Sequence, residues 1–175
     1  MVKELIELGK SIIIAMVAAF LIITFVFETV NVDGLSMYPT LHNNDKLIVE
    51  KVSYYFRKPT YGDIVVIKYP ANPKEKFIKR VIGTPGDRIK IENNKLYLNG
   101  KELTENYIFE HRMEDFNEVT IPDNTIFVMG DNRNNSLDSR DSEKVGFVNY
   151  NMVVGRATLR VYPFKDAGKI SLKAN

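Results

Sequence analysis

The chain has 175 residues, enough for one compact domain with a sizeable excursion. Its 24 Lys and Arg against 22 Asp and Glu leave a formal net charge of +2 with no long single-sign block, which argues against a nucleic-acid binder. The absence of cysteine excludes a disulfide framework, a thiolate nucleophile and a cysteine zinc site.

The first element is an uncharged run, SIIIAMVAAFLIITFVF, from Ser11 to Phe27. At about 1.5 Å rise per residue it is near the lower limit for spanning a bilayer. Lys3 and Lys10 precede it and the next basic residue is Lys46. The positive-inside rule therefore predicts a cytoplasmic N-terminus at 1–10 and an extracytoplasmic remainder. The run ends FVFETVNVDG, with bulky residues where a signal-peptide cleavage site needs small ones, so it reads as an uncleaved anchor over 11–29. A buried core helix is disfavoured because no polar stripe interrupts the run.

Beyond the anchor the pattern becomes β-like. KLIVEKV, GDIVVIKY, KFIKRVIG, RIKIE, KLYLNG, NTIFVMG and MVVGRATLRVY are short alternating or apolar runs between turn signals. RIKIENNKLYLNGKEL reads as adjacent hairpins, with Asn93-Asn94 and Asn99-Gly100 at the turns. From about Lys101 to Asp123 the chain is polar and poorly periodic. A β core at 30–87 and 124–165 with an inserted ribbon or small subdomain at 88–123 is expected, followed by a frayed tail at 166–175.

Ser36 stands in DGLSMYPTL, about nine residues past the anchor, and nine extended residues reach at most about 30 Å. Any chemistry there lies close to the membrane surface. A serine hydroxyl becomes a nucleophile only when a neighbouring base takes its proton. His42, in the polar turn HNND, and His111, in the irregular stretch, are the only histidines, and both read better as surface residues than as triad members. With so few histidines and no HExxH pattern a zinc peptidase is disfavoured.

The remaining base is a lysine, which stays protonated near neutrality unless burial disfavours its charge. In FIKRVIG, strand alternation puts Phe77, Lys79 and Val81 on one face and Ile78, Arg80 and Ile82 on the other. Lys79 thus has apolar company, although a solvent-facing strand lysine with a buried stem remains an alternative. GDNRNNSLDSR at 130–140 reads either as a solvated loop or as a charge-assisted network beside a site.

Taken together, GLSMYPTL at 34–41, YGDIVVIKY at 61–69, FIKRVIGTPGD at 77–87 and GDNRNNSLDSR at 130–140 resemble, in order and after an N-terminal anchor, the type I signal peptidases in their short Gram-positive form. The resemblance covers the anchor and nearly all of the β region. It implies a mostly β fold, with a coiled β-sheet core, an inserted β-ribbon and one N-terminal transmembrane helix. It implies a membrane-anchored serine endopeptidase that removes signal peptides from exported preproteins at the outer face of the cytoplasmic membrane.

By the same resemblance Ser36 is the nucleophile and Lys79 the general base, with Ser136 hydrogen-bonding the lysine to orient it. Arg80 with Asp131, and Asp138 with Arg140, are implied structural ion pairs. The backbone N–H of Ser36 is the implied oxyanion donor; where some members add a hydroxyl two residues earlier, this chain has Gly34. Met37, Leu41, Phe77 and Ile78 are candidates by motif position for pockets that take the small-x-small residues before the cut, with a core role as the alternative. No metal or cofactor is implied; the expected partners are preprotein signal peptides and the bilayer, and the expected state is monomeric. A narrower Ser-Lys peptidase and an inactive anchored binding module are the competing readings, the second disfavoured because Ser36 and Lys79 are both present.

Overall fold

A computed structural model describes residues 2–170. Helix α1, Val2–Val26, includes the apolar run as far as Val26 and extends it N-terminally through Lys3, Glu4, Glu7 and Lys10, residues that lose little freedom in a helix. Its stretch Val2–Ile22 is long and apolar enough to cross a membrane. Residues 27–29, expected within the anchor, instead open strand β1, Phe27–Asn31. The cause is pairing: β1 runs antiparallel to β2, Lys46–Glu50, from Phe27 opposite Glu50 to Asn31 opposite Lys46. Glu28 also takes ion pairs from Lys51 and Lys76.

After the short helix α2, Ser53–Phe56, come β3, Ile64–Tyr69, and the long β4, Asn72–Gly83. β5, Arg88–Glu92, β6, Lys95–Leu98, β7, Lys101–Glu102, and β8, Phe116–Thr120, form a separate four-stranded sheet in the order β7-β6-β5-β8. The chain returns to the first sheet with β9, Thr125–Met129, β10, Val148–Asn149, and β11, Val153–Tyr162. That sheet runs β1-β2-β11-β3-β4-β9-β10, with β12, Gly168–Lys169, paired on β11.

The paired turn asparagines do as their side chains allow. Asn93, Asn94 and Asn99 have φ of 51°, 65° and 53°. β8 falls in the stretch expected to lack periodicity. Its inward residues, Phe116 and Val119, are three apart rather than two, because the register against β5 shifts between Ile89 and Ile91. The bulge hides the strand from any search for alternation.

The expected fray at 166–175 is likewise corrected over its described part. β12 pairs with β11, Ile170 N–H bonds Thr158 O at 3.0 Å, and Ile170 is buried. Residues 171–175 lie outside the described residues.

Among the described residues, three apolar clusters form the core. One joins Val32, Met37 and Leu41 to Ile64, Val66 and Ile78. A second packs Val65, Ile67 and Val81 against Val128 and Val148. The third lies between the small sheet and β9, with Ile89, Ile91, Leu96, Met113 and Phe127. β4 contributes to all three, so residues 78–83 are buried without interruption.

Candidate active site

The loop that carries Ser36 leaves β1 and closes on itself before β2. Val32 N–H bonds Asp45 O at 2.8 Å and Asn44 N–H bonds Val32 O at 2.9 Å. Asp45 accepts the His42 N–H at 2.9 Å and pairs with Arg160 at 3.2 Å; Arg160 also donates to Thr40 O at 2.8 Å. Met37 and Leu41 are driven into the core beneath, and leave Ser36 at the rim. His42 packs edge-on against Tyr38 at 5.2 Å, and His111 is exposed in the inserted segment.

Ser36 meets Lys79 instead: Lys79 Nζ donates to Ser36 Oγ at 2.8 Å across 43 residues of sequence. The lysine is 3 % exposed, and its Nζ lies 5.2 Å from the centre of the Phe77 ring. Burial removes the water that would stabilise an ammonium ion and lowers its pKa from 10.5 to about 8. Asp138 and Asp131 pull it upward, and Arg140 pushes it down. A chain that buries an unpaired lysine pays in stability for a side chain that sheds its proton near neutrality.

The second wall is the 130–140 segment. Arg80, next to Lys79 in β4, grips Asp131 with two bonds of 2.8 and 2.7 Å, both side chains being almost wholly buried. Thr40 Oγ1 donates to the same carboxylate at 2.5 Å, which ties the Ser36 loop to the pair. Asp138 holds Arg140 at 2.8 Å and accepts the Gly130 N–H at 3.0 Å. Asn132 N–H reaches Ser36 O at 3.0 Å, and its side-chain amide reaches Leu35 O at 3.2 Å.

The structure therefore gathers Ser36, Lys79, Arg80, Asp131, Asp138 and Arg140. Ser136 is different. Its expected hydrogen bond to Lys79 is not made; its Oγ is buried without a partner among the described residues. It packs against Gly130 instead, where an added Cβ would lie 2.3 Å from Ser136 Oγ and 2.4 Å from Ser36 O. The lysine hydrogen bond goes to Ser36 rather than to this neighbour.

A cleft of about 300 Å³ runs past Ser36 and Lys79, with Met37, Phe77, Ile78 and Leu137 along its walls. Leu41 does not line it: at 0 % exposure it belongs to the core under the loop. Gly34, at the cleft rim, has φ +94° and donates its N–H to Asn43 at 2.9 Å. The position is thus set by a backbone conformation that side-chain-bearing residues rarely adopt, beyond the missing hydroxyl.

Thr40, Gly130 and Asn132 escaped the sequence reading as individual site residues. Only their placement inside the two quoted motifs marked them, because their contacts join segments about 90 residues apart.

Residues 5–162 match the family described as Signal peptidase, peptidase S26. The chain is 40% identical to signal peptidase I S of Bacillus subtilis (strain 168) over 178 residues, covering 95% of this chain and 94% of that one. It is 41% identical to a signal peptidase I of Bacillus amyloliquefaciens over 170 residues, covering 91% and 86%. A crystal structure of a signal peptidase I from Enterococcus faecalis V583 superposes with a TM-score of 0.51 and 33% identity, over 57% of this chain and 97% of that chain.

Proposed function

This chain belongs to the signal peptidase family, peptidase S26, and on that premise we propose that it cleaves signal peptides from exported preproteins with a Ser36–Lys79 dyad at the outer face of the cytoplasmic membrane. The observation that carries the mechanism is the 2.8 Å contact between Ser36 Oγ and a lysine amine buried to 3 % exposure.

Neutral Lys79 accepts the Ser36 proton as Oγ attacks the carbonyl carbon before the scissile bond. The Ser36 N–H faces the developing oxyanion. As the tetrahedral intermediate collapses, Lys79 returns the proton to the leaving amine and an ester remains on Ser36. Lys79 then takes a proton from water, whose oxygen attacks the ester carbon, and Ser36 regains its hydrogen. Asp131 and Asp138, each held by an arginine, fix the wall that positions the lysine without joining the proton transfer.

The cleft beside the dyad suits an extended chain with small side chains before the cut. Met37 and Ile78 limit its depth and Phe77 its flank, while the part of β4 before Arg80, paired with β3 but not with β9, offers backbone groups for strand addition. Membrane placement rests on α1 and on what surrounds its end. Lys51 N–H bonds Val26 O, the last helical residue, at 2.9 Å. Close by in α2, Tyr55 and Phe56 are 79% and 86% exposed, the tyrosine with the amphipathic ring of a headgroup-level belt and the phenylalanine adding apolar surface beside it. The five residues of β1 span about 16 Å at ~3.3 Å each, so an emerging substrate needs roughly that many extended residues to reach the cleft. Lys3 and Lys10 favour the N-terminus inside.

The test is cleavage of a preprotein by the full-length chain in detergent, compared with Ser36→Ala and Lys79→Ala. Both variants are expected to fall to background. Cleavage at the parent rate by either one rejects the dyad.

A further inference from the structure

Between β7 and β8 the chain runs from Leu103 to Met113 without helix or strand. Its ends are fastened to the small sheet: Leu103 N–H bonds Leu96 O at 2.8 Å, Met113 N–H bonds Asn94 Oδ1 at 3.0 Å, and both side chains join the third cluster. Its middle leaves that sheet. Glu105, Tyr107 and Phe109, spaced two apart, each seat on a different segment of the candidate site.

Glu105 takes both terminal nitrogens of Arg133 at 2.7 and 2.5 Å, with side chains 3% and 0% exposed. Arg133 in turn donates Nε to Gly130 O at 3.0 Å, and its own carbonyl accepts from Arg140 at 2.7 Å. The Tyr107 ring lies 3.9 Å from the Arg80 guanidinium, on the residue beside Lys79, and its hydroxyl donates to Glu105. Phe109 meets the Tyr38 ring edge-on at 4.8 Å, two residues beyond Ser36, and its N–H reaches Asp131 O at 3.4 Å.

We propose that residues 103–113 are a brace for catalysis, in which Glu105, Tyr107 and Phe109 act as positioning residues that register the 130–140 segment, β4 and the Ser36 loop against one another. None of the three lines the cleft beside Ser36. Their effect runs through the partners they hold: the dyad atoms come from two separate segments, and an error of about 1 Å in such a geometry costs roughly 10²-fold in rate. A buried, doubly bonded Glu–Arg pair and a ring stacked on a buried guanidinium are orientation-specific contacts of the kind that fix register rather than merely fill space.

This inference rests on the Ser36–Lys79 reading, whose failure would appear separately as an active Ser36→Ala chain. The experiment is steady-state cleavage of a short small-x-small peptide by the full-length chain in detergent, across pH, with melting temperature measured alongside. Tyr107→Leu is expected to lower kcat at least tenfold with KM within about twofold, by a similar factor at every pH. Tyr107→Phe, which keeps the ring, is expected to restore kcat to within about threefold of the parent. Phe109→Ala, at a half-exposed position, is expected to lower kcat in the same direction and stands in if Tyr107→Leu fails to fold. A Phe109→Ala chain with kcat within twofold of the parent overturns the proposal. So does a loss expressed mainly in KM, which would mark the segment as a substrate contact.

Discussion

Lys79 is a cation placed where a cation is poorly solvated, and its proposed function and its cost have the same origin. With a pKa of about 8, roughly one-tenth of the lysine is neutral at pH 7, so cleavage should rise with pH through about 8 and level off above it. A rise centred near 10.5 would remove the case for a depressed base. Stability carries the same proton. The folded pKa lies below the ordinary value of 10.5, so the unfolded chain binds the proton more tightly between about 8 and 10.5, and stability increases with pH across that window. Below about 8 the full penalty applies, on the order of 3 kcal/mol. Lys79→Met should therefore be inactive yet more stable than the parent at pH 7, with the difference shrinking toward pH 10. Denaturant unfolding at the two pH values checks this, and a destabilised Lys79→Met at pH 7 would contradict it.

At the scale of elements, the site is a seam between two loops gathered around β4. Gly130 lies where they touch, with Ser36 O and Ser136 Oγ occupying the space that a Cβ would need. The carbonyl belongs to backbone and cannot swing aside, so Gly130→Ala should separate the loops and reduce kcat by roughly 10²-fold while α1 and both sheets persist. Circular dichroism with peptide cleavage tests the pair of outcomes; parent-level kcat would show that the seam tolerates expansion. The legibility of elements followed their regularity. β3, β5, β6 and β9 show as apolar or alternating runs, whereas β8 was hidden by its bulge and β1 by the apolar helix that runs straight into it. Ser136 was expected to hydrogen-bond Lys79 and does not, because neighbourhood in a motif specifies a segment and leaves the aim of a side chain open.

For the whole molecule, the proposed arrangement couples a membrane helix to a sheet whose first strand begins at the next residue. The exposed pair Tyr55 and Phe56 sits beside that junction and gives a direct probe, because the chain contains no tryptophan. In lipid vesicles, Phe56→Trp should show blue-shifted emission quenched by shallow brominated lipid, and Ile14→Trp, within α1, should be quenched by deeper bromines. Quenching at 14 without quenching at 56 would keep the anchor and reject contact between the sheet and the headgroups. No quenching at either position would reject the membrane span itself.

What the amino-acid order determined alone is what depends on near neighbours: the apolar run, the turns at paired asparagines and the strand periods, while Ser36, Lys79 and the four residues of the arginine–aspartate pairs were singled out by the resemblance of their motifs to a known family. The rest needed contacts between distant segments. Lys79 has a lowered pKa because the fold buries its amine against Ser36 and the Phe77 ring, Leu41 belongs to the core because the Ser36 loop folds over it, and Gly34 is held at a positive φ by the same loop. The irregular stretch after β7 looked featureless because Glu105, Tyr107 and Phe109 answer to Arg133, Arg80 and Tyr38, partners that only the tertiary fold brings within reach.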